Sequence, residues 1–282
     1  MNSASSPQRG FTLVEMLVSV TILSFMMIMM AKITGLVEMT WHQAQNRIDN
    51  YTKARSMLDL ISSDLQRAVF RGDLPIFGKG PTSTPAITSS GLYYFTATAF
   101  TTAFYTRLPG TSGTSTPVRD VSLVSYTLIP TTDEDKMVLQ RSALSVPWTS
   151  GTNLSFQSDI TPLLSNSNAV ASEVAPGVVG FRLVFRRADG SLIDQSAYTG
   201  YNSANPVIAV NAGLAVINRQ CLTVLSSPQI TELAAVFSSG TMTNGVKTTW
   251  DQQLNNSFYA SYPKVLGDGL KTYECWVGCT PF

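Results

Sequence analysis

Few residues of this sequence are able to do chemistry, and the most unusual is a carboxylate inside an apolar run. Glu15 is the only ionisable residue in the 21 positions from Phe11 to Ala31. A carboxylate within hydrocarbon costs about 2.5–3.5 kcal/mol on insertion scales. Either a positive partner neutralises Glu15, or its side chain reaches the membrane surface and has no partner. The first interpretation makes Glu15 a candidate assembly residue.

Three cysteines are the next reactive side chains. Cys275 and Cys279 lie four residues apart in ECWVGCTPF, so a turn of the backbone would allow a local disulfide. The alternative is that Cys221 pairs with one of these two and ties the C-terminus to the sheet. A structural zinc site usually takes four Cys or His ligands, whereas this chain has one histidine, His42. We therefore expect a disulfide between two of the three cysteines, with the pairing open, and no zinc site.

An acidic cluster, Asp133 to Asp135, is the remaining candidate for ion binding. Asp133 and Asp135 offer carboxylate oxygens, which are the ligands that calcium accepts in flexible loops. A solvated hairpin tip accounts for the same residues without any ligand. We prefer the solvated tip and keep calcium as the alternative.

Catalytic and nucleotide-binding patterns are absent from the sequence. A single histidine next to an apolar run provides no Ser-His-Asp or Cys-His arrangement, and no glycine-rich phosphate loop occurs. The net charge is +1, and the basic residues form no cluster, which argues against nucleic-acid binding. With 44% hydrophobic and 13% charged residues, the chain is expected to fold. The sequence predicts neither an enzyme nor a cofactor.

Glu15 belongs to a predicted long helix over residues 11–71. Its first part, residues 11–31, is long enough to cross a bilayer, which takes about 20 apolar residues. Arg9 and the amino terminus make the preceding segment positive, which places it in the cytoplasm and the rest outside. Beyond the span, apolar residues at helical spacing predict a buried face. That face includes Trp41, Ile48, Tyr51, Ile61 and Leu65, and the residues expected to face water include Asn50, Arg55 and Asp59.

The segment Arg9-Gly10-Phe11-Thr12-Leu13-Val14-Glu15 resembles the processing motif of type IV prepilins and type II secretion pseudopilins. These proteins have a short hydrophilic leader ending in glycine, then an aromatic residue, and glutamate as the fifth mature residue. The resemblance implies that residues 1–10 are a leader and that a prepilin peptidase cleaves between Gly10 and Phe11. It also implies N-methylation at Phe11, other pilin-like subunits and an inner-membrane assembly platform as partners, and a periplasmic head on a single-pass anchor in the bacterial inner membrane.

Cleavage after Gly10 would give Glu15 a specific partner. It would create an amine on Phe11, and in a helical assembly this amine would meet Glu15 of a neighbouring subunit. A buried charge would then fix the register between subunits.

The remainder, residues 72–282, is predicted to be an exported β-rich head. Gly, Pro, Ser and Thr separate short β-rich runs such as GLYYFTATAF, VSLVSYTLI, KMVLQRSA and IAVNAGLAVINRQ. A short helix is expected near residues 227–237, with Ser227 as its cap. The predicted fold class is α+β, with a long N-terminal helix packed on antiparallel sheet. The segment SMLDLISSDLQRAV, a tyrosine-containing strand and a Leu-x-Arg strand resemble J-type minor pseudopilins more loosely.

These observations lead to two functional hypotheses. The first is a minor pseudopilin or minor pilin that joins or primes a filament through its N-terminal helix. The second is a membrane-anchored binding or adhesin module whose β-rich head recognises a ligand. A role for the C-terminal residues 238–282 is left open.

Overall fold

A computed structural model describes residues 12–68, 77–79, 100–107, 121–130, 137–145, 172–195, 204–238, 242, 244–258 and 269–279. The chain divides into two compact units, Met1–Ile48 and Asp49–Phe282. Each unit is described by itself below. Helix α1, Leu13–Gln66, contributes its first 36 residues to the first unit and its remaining residues to the second.

The first unit consists of the apolar part of α1. Its large apolar side chains are exposed along the whole length, for example Leu13 at 81%, Phe25 at 65% and Met30 at 72%. No glycine or proline interrupts this part before Gly35. An all-round apolar helix surface of this kind suits an apolar surrounding better than water.

The second unit contains two antiparallel sheets. The first sheet has the order β1-β2-β3-β4-β5. Its strands are β1 Phe77–Lys79, β2 Phe100–Thr106, β3 Ser122–Pro130, β4 Met137–Ser145 and β5 Ser172–Pro176. Each strand follows its sequence neighbour, so the sheet is a meander.

The second sheet has the order β7-β6-β8-β9. Its strands are β6 Val178–Arg187, β7 Leu192–Asp194, β8 Val207–Ile217 and β9 Leu270–Gly278. The last strand, β9, pairs with β8 over nine residues, from Ala209↔Gly278 to Ile217↔Leu270. Among the described strands, β9 therefore forms one edge of this sheet.

Two apolar clusters cover the two faces of the second sheet. On one face, the last third of α1 packs its buried residues Ala54, Met57, Ile61 and Leu65 with side chains of both sheets. These α1 residues recur every three or four positions, as expected for one face of a helix. The residues Phe181, Leu183, Val210, Ala212 and Leu214 of the second sheet complete this cluster.

Three short α-helices form the second cluster on the opposite face: α2 Arg219–Val224, α3 Ser227–Ser238 and α4 Val246–Gln253. A π-helix, Leu254–Phe258, continues α4. The side chain of Trp250 in α4 is fully buried, and its Nε1 donates to the Phe237 carbonyl at 2.9 Å. Alternating residues of β6 and β8, including Val184 and Ala215, face these helices.

The predicted α+β class is confirmed, with the helix and antiparallel sheets in place. Four of the predicted positions on α1 were wrong. Trp41 and Ile48 were expected on the buried face, but they are 71% and 59% exposed. Asn50 is 3% exposed, and its Nδ2 donates to the Gly269 carbonyl at 3.2 Å, whereas Tyr51 is 55% exposed. Assignment by hydrophobicity alone misplaced Asn50 and Tyr51. The buried carbonyl of Gly269 needs a polar partner, and Asn50 provides it.

The start of α3 also differs from the predicted cap at Ser227. Ser226 takes the capping position, because its carbonyl accepts from Ile230 N at 3.1 Å and its N–H donates to Gln229 Oε1 at 2.8 Å. Serine followed three residues later by glutamine is a capping-box pattern. The predicted strand over residues 91–99 and the acidic hairpin tip lie outside the described residues.

Candidate functional site

The candidate assembly residue Glu15 lies in the first turn of α1. Thr12 Oγ1 accepts a hydrogen bond from Glu15 N at 3.3 Å, and the Thr12 carbonyl accepts from Met16 N at 3.2 Å. Thr12 and Glu15 therefore occupy the N-cap and N3 positions of the helix, and the T-x-x-E spacing matches a capping-box sequence. This cap was not predicted from the sequence. Gly10 and Phe11 lie outside the described residues.

The helix position favours a carboxylate at Glu15, but only modestly. Negative charge near a helix N-terminus is stabilising by about 0.3–1 kcal/mol. Burial of a charge in hydrocarbon costs about 2.5–3.5 kcal/mol. The helix end therefore offsets only part of that cost, and a cationic partner remains the stronger means of neutralisation.

The apolar part of α1 is able to cross a membrane by length and composition. Its most apolar window has a mean hydropathy of 2.2, and none of that window is buried within the protein. The backbone groups of a helix are satisfied internally, which is a requirement inside a bilayer. This segment is the one candidate span among the described residues.

The hydroxyl groups along this segment are satisfied within the helix itself. Ser19 Oγ donates to the Glu15 carbonyl at 2.8 Å, Ser24 Oγ to the Val20 carbonyl at 2.8 Å, and Thr34 Oγ1 to the Met30 carbonyl at 2.9 Å. Each bond removes a polar group that would otherwise be costly in an apolar surrounding. The serines and threonines are therefore compatible with a membrane span.

A buried polar network joins the last third of α1 to the first sheet. Tyr126 Oη of β3 donates to Asp64 Oδ2 at 2.5 Å. Arg141 of β4 donates through Nε to Oδ2 at 2.8 Å and through Nη2 to Oδ1 at 3.0 Å. The Asp64 side chain is 3% exposed and that of Arg141 is 20% exposed. We call Asp64, Tyr126 and Arg141 the helix–sheet triad.

The triad has a consistent electrostatic arrangement. Burial raises the pKa of Tyr126, and the Asp64 charge raises it further. The hydrogen bonds from Arg141 to Asp64 raise the pKa of the guanidinium. Tyr126 thus stays protonated and donates as a neutral hydroxyl. Oδ2 of Asp64 accepts from Tyr126 and Arg141, and Oδ1 accepts from Arg141. The triad holds the helix against the sheet. It offers no open position for a substrate.

The predicted disulfide is not formed between any two of Cys221, Cys275 and Cys279 in this structure. A local Cys275–Cys279 bridge would require a change in β9, because the strand is extended between them. Four residues of strand span about 13 Å at about 3.3 Å per residue, while a disulfide needs Cα atoms about 4.4–6.8 Å apart.

Pairing of Cys221 with either of the other two would likewise require a rearrangement of the fold. Cys221 belongs to the cluster with α2, α3 and α4, and Cys275 and Cys279 pack against the opposite cluster. The second sheet therefore separates Cys221 from both. This separation could not be predicted from the sequence, because no pattern in it predicted β9.

Metal-binding groups are not assembled in the part of the chain that the structure describes. No group of three His, Cys, Asp or Glu side chains is placed there so that it could hold a metal ion. The calcium candidates Asp133 and Asp135 lie outside the described residues.

Comparison with known proteins bears on the N-terminus. The family described as "Prokaryotic N-terminal methylation motif" matches residues 5–31. A chain of the GspK-GspI-GspJ complex from the enterotoxigenic Escherichia coli Type 2 Secretion System is similar at 15% sequence identity, covering 58% of this chain and 88% of that chain. Its TM-score of 0.31 is too low to carry an argument. The search among curated proteins found no match. The resemblance of Arg9 to Glu15 to the prepilin-like processing motif is thus confirmed by the methylation-motif match.

Proposed function

We propose that this chain is a pilin-like structural subunit that assembles into, or primes, a secretion pseudopilus or type IV pilus-like filament. The observation that carries the proposal is the methylation motif over residues 5–31, directly followed by an exposed apolar helix with Glu15 in its first turn. A soluble protein would gain nothing from such a surface, since burial of apolar area is the main favourable term in folding and association.

In this proposal, prepilin peptidase removes residues 1–10 by cleavage between Gly10 and Phe11, and Phe11 is N-methylated. Residues 11–31 then anchor the chain in the bacterial inner membrane. The N-terminus faces the cytoplasm, and the β-rich head lies in the periplasm. Arg9 supports this orientation because basic residues favour the cytoplasmic side.

The new amine on Phe11 would pair with Glu15 of the neighbouring subunit during assembly. Such a pair would remove the charge penalty that the helix end offsets only in part. Other pilin-like subunits and an inner-membrane assembly platform are the expected partners.

Processing is tested by mass spectrometry of the mature protein after co-expression with a prepilin peptidase. The expected N-terminus is Phe11 carrying one added methyl group. Gly10→Val should leave the leader attached. Gly35→Ala is the matched control, because a Cβ at Gly35 meets nothing within 4 Å, and it should be processed normally. A mature wild-type protein that begins elsewhere would contradict the proposal.

Assembly is tested separately by recovery of the chain with sheared filaments or with sister pilins. Glu15→Ala should abolish recovery while processing continues. Glu38→Ala removes another carboxylate from the same helix and should have little effect. Equal recovery of the two variants would show that Glu15 sets no register.

A further inference from the structure

A groove of about 360 Å³ lies between the last third of α1 and the edge strand β9. Its volume is at the low end of the range for ligand sites, about 300–1,000 Å³. We call it the β9 groove. Four α1 residues, one α4 residue and four consecutive β9 residues line it: Tyr51, Arg55, Leu58, Asp59, Lys247, Thr272, Tyr273, Glu274 and Cys275.

The groove opens onto the edge of the sheet. Tyr273 and Cys275 pack on the α1 side of β9, whereas Thr272 and Glu274 bond to Asp251 and Lys247 of α4 on the opposite side. A cavity lined from both faces of one strand must lie in front of that strand's edge. An occupant would therefore meet the backbone of residues 272–275.

The hydrogen-bond register indicates which backbone groups face the groove. Cys279 N donates to the Ile208 carbonyl of β8 at 2.9 Å. In an antiparallel ladder, bonded pairs alternate with non-bonded pairs, so odd-numbered residues of β9 bond to β8. The N–H and carbonyl groups of Thr272 and Glu274 then point away from β8, towards the groove. This is the arrangement to which an extended peptide adds as a further strand.

The walls on the α1 side are apolar and aromatic. The rings of Tyr51 and Tyr273 have centroids 6.2 Å apart at 58°. Leu58, Tyr273 and Cys275 are only partly buried against the core. An added strand would place a side chain against this surface and complete its burial.

Carboxylates outnumber cations around the groove. Glu274 Oε2 accepts from Asn211 Nδ2 at 3.2 Å and from Lys247 N at 2.9 Å. Lys247 Nζ is paired with Asp251. Asp59 and Glu274 both raise the pKa of Cys275, after the larger effect of burial. Asp251, which neutralises Lys247, does not line the groove. Apart from that ion pair, two lining carboxylates, Asp59 and Glu274, face one lining cation, Arg55.

We propose that the β9 groove binds an extended segment of a partner protein that pairs with the edge of β9 and lays a Lys or Arg side chain over Tyr51 and Tyr273. The aliphatic stem of that side chain would lie on the rings, and its charged head would meet Asp59 and Glu274. This binding site goes beyond filament assembly through the N-terminal helix and does not depend on it.

Three synthetic nine-residue peptides test the proposal on the full chain in detergent. All alternate Thr and Val, and they differ at the centre and in the backbone: central Lys, central Glu, and central Lys with every second amide N-methylated. Fluorescence anisotropy should show tightest binding for the unmodified Lys peptide. That peptide should also slow the alkylation of Cys275 by iodoacetamide, measured by peptide mapping, and leave the rate at Cys221 unchanged.

A pair of variants separates the charge from the strand pairing. Asp59 is exposed, so Asp59→Asn leaves the core intact. This variant should weaken the binding of the Lys peptide by up to about fivefold. Glu232→Gln removes a carboxylate on exposed α3 surface and should leave the affinity unchanged. Both variants should also retain the secondary structure of the wild type.

Four results would overturn the proposal. These are no binding of any peptide at millimolar concentration, equal or tighter binding of the Glu peptide, undiminished binding of the N-methylated peptide, and unprotected Cys275. Tighter binding of the Glu peptide would point to Arg55 and an acidic partner instead. Because Glu15→Ala should leave peptide binding unchanged, failure of filament assembly and failure of this site are distinguishable.

Discussion

At the residue scale, the helix–sheet triad is a buried polar network that joins α1 to the first sheet. A carboxylate with an exposure of 3% would be costly alone. Asp64 instead accepts from Tyr126 and bidentately from Arg141. The SSDLQ helix segment, the tyrosine strand and the Leu-x-Arg strand are each recognisable in the sequence, but only as separate elements. Their meeting at one carboxylate depends on the register of β3 against β4, Tyr126↔Arg141.

Tyr126→Phe tests how strongly the triad stabilises the fold. It removes one donor to Asp64 and keeps the ring in the core, so the free energy of unfolding should fall by about 1.5–3 kcal/mol. Denaturant titration of the full chain in detergent measures it. Tyr51→Phe, on an exposed ring, should change the free energy by less than about 0.5 kcal/mol. Equal effects of the two variants would show that the short bond to Asp64 contributes little.

Gly269→Ala tests a close approach at the start of β9. An added Cβ would lie 2.1 Å from Cys221 Sγ and 2.7 Å from Asn218 Oδ1. Overpacking of this kind should lower the free energy of unfolding by about 1–3 kcal/mol. Gly278→Ala is a matched control at the other end of β9, where a Cβ meets nothing within 4 Å. A neutral Gly269→Ala would mean that α2 is able to move away from β9.

At the element scale, periodic patterns predicted the parts of the fold that depend on local sequence. The long helix, the strands with Val, Tyr and Phe, and the helix starting near Ser227 follow from spacing and turn residues. β9 was missed because LKTYECWVG lacks a clear alternation, and its burial comes from β8 and the flanking clusters. The burial of Asn50 was missed for the same reason, because Asn50 donates to the Gly269 carbonyl next to β9.

The buried tyrosines of the first sheet predict how stability varies with pH. Burial raises the pKa of Tyr105 in β2 to about 12, and burial together with Asp64 raises that of Tyr126 in β3. Above pH about 10, tyrosines ionise in the unfolded chain but stay protonated in the fold. The unfolded state then binds fewer protons, so stability is full below pH about 10 and falls as the pH rises further.

Denaturant titrations between pH 8 and pH 11.5 measure this fall. Each such tyrosine contributes a slope of about 1.4 kcal/mol per pH unit. Cys275 and Cys279, whose pKa values burial raises, add a fall of the same sign that begins at lower pH. Tyr126→Phe should make the slope of the free energy of unfolding above pH 10 shallower by about 1.4 kcal/mol per pH unit, the contribution of one tyrosine. An unchanged slope in this variant would show that Tyr126 ionises equally in both states.

At the scale of the whole molecule, the division into two units predicts which fragments fold. The buried residues of α1 begin at Asn50, and all of them lie in the second unit. A fragment of residues 49–282 retains both apolar clusters and should unfold cooperatively without detergent. A fragment of residues 67–282 loses Met57, Ile61 and Leu65 together with Asp64. Removal of one such apolar side chain costs about 2–5 kcal/mol, so the combined loss reaches the total stability of a typical domain, about 5–15 kcal/mol.

The comparison requires both fragments at equal concentration, with near-ultraviolet circular dichroism to report on the packing of the aromatic rings. The longer fragment should show a fixed aromatic signal and one sigmoidal denaturant transition, and the shorter one neither. Ile61→Ala in the longer fragment supplies the intermediate case, because it opens a cavity at a fully buried position while the helix remains. A cooperative transition in residues 67–282 would mean that the two sheets and α2 to α4 form a sufficient core, and that α1 is a removable anchor rather than part of the folded head.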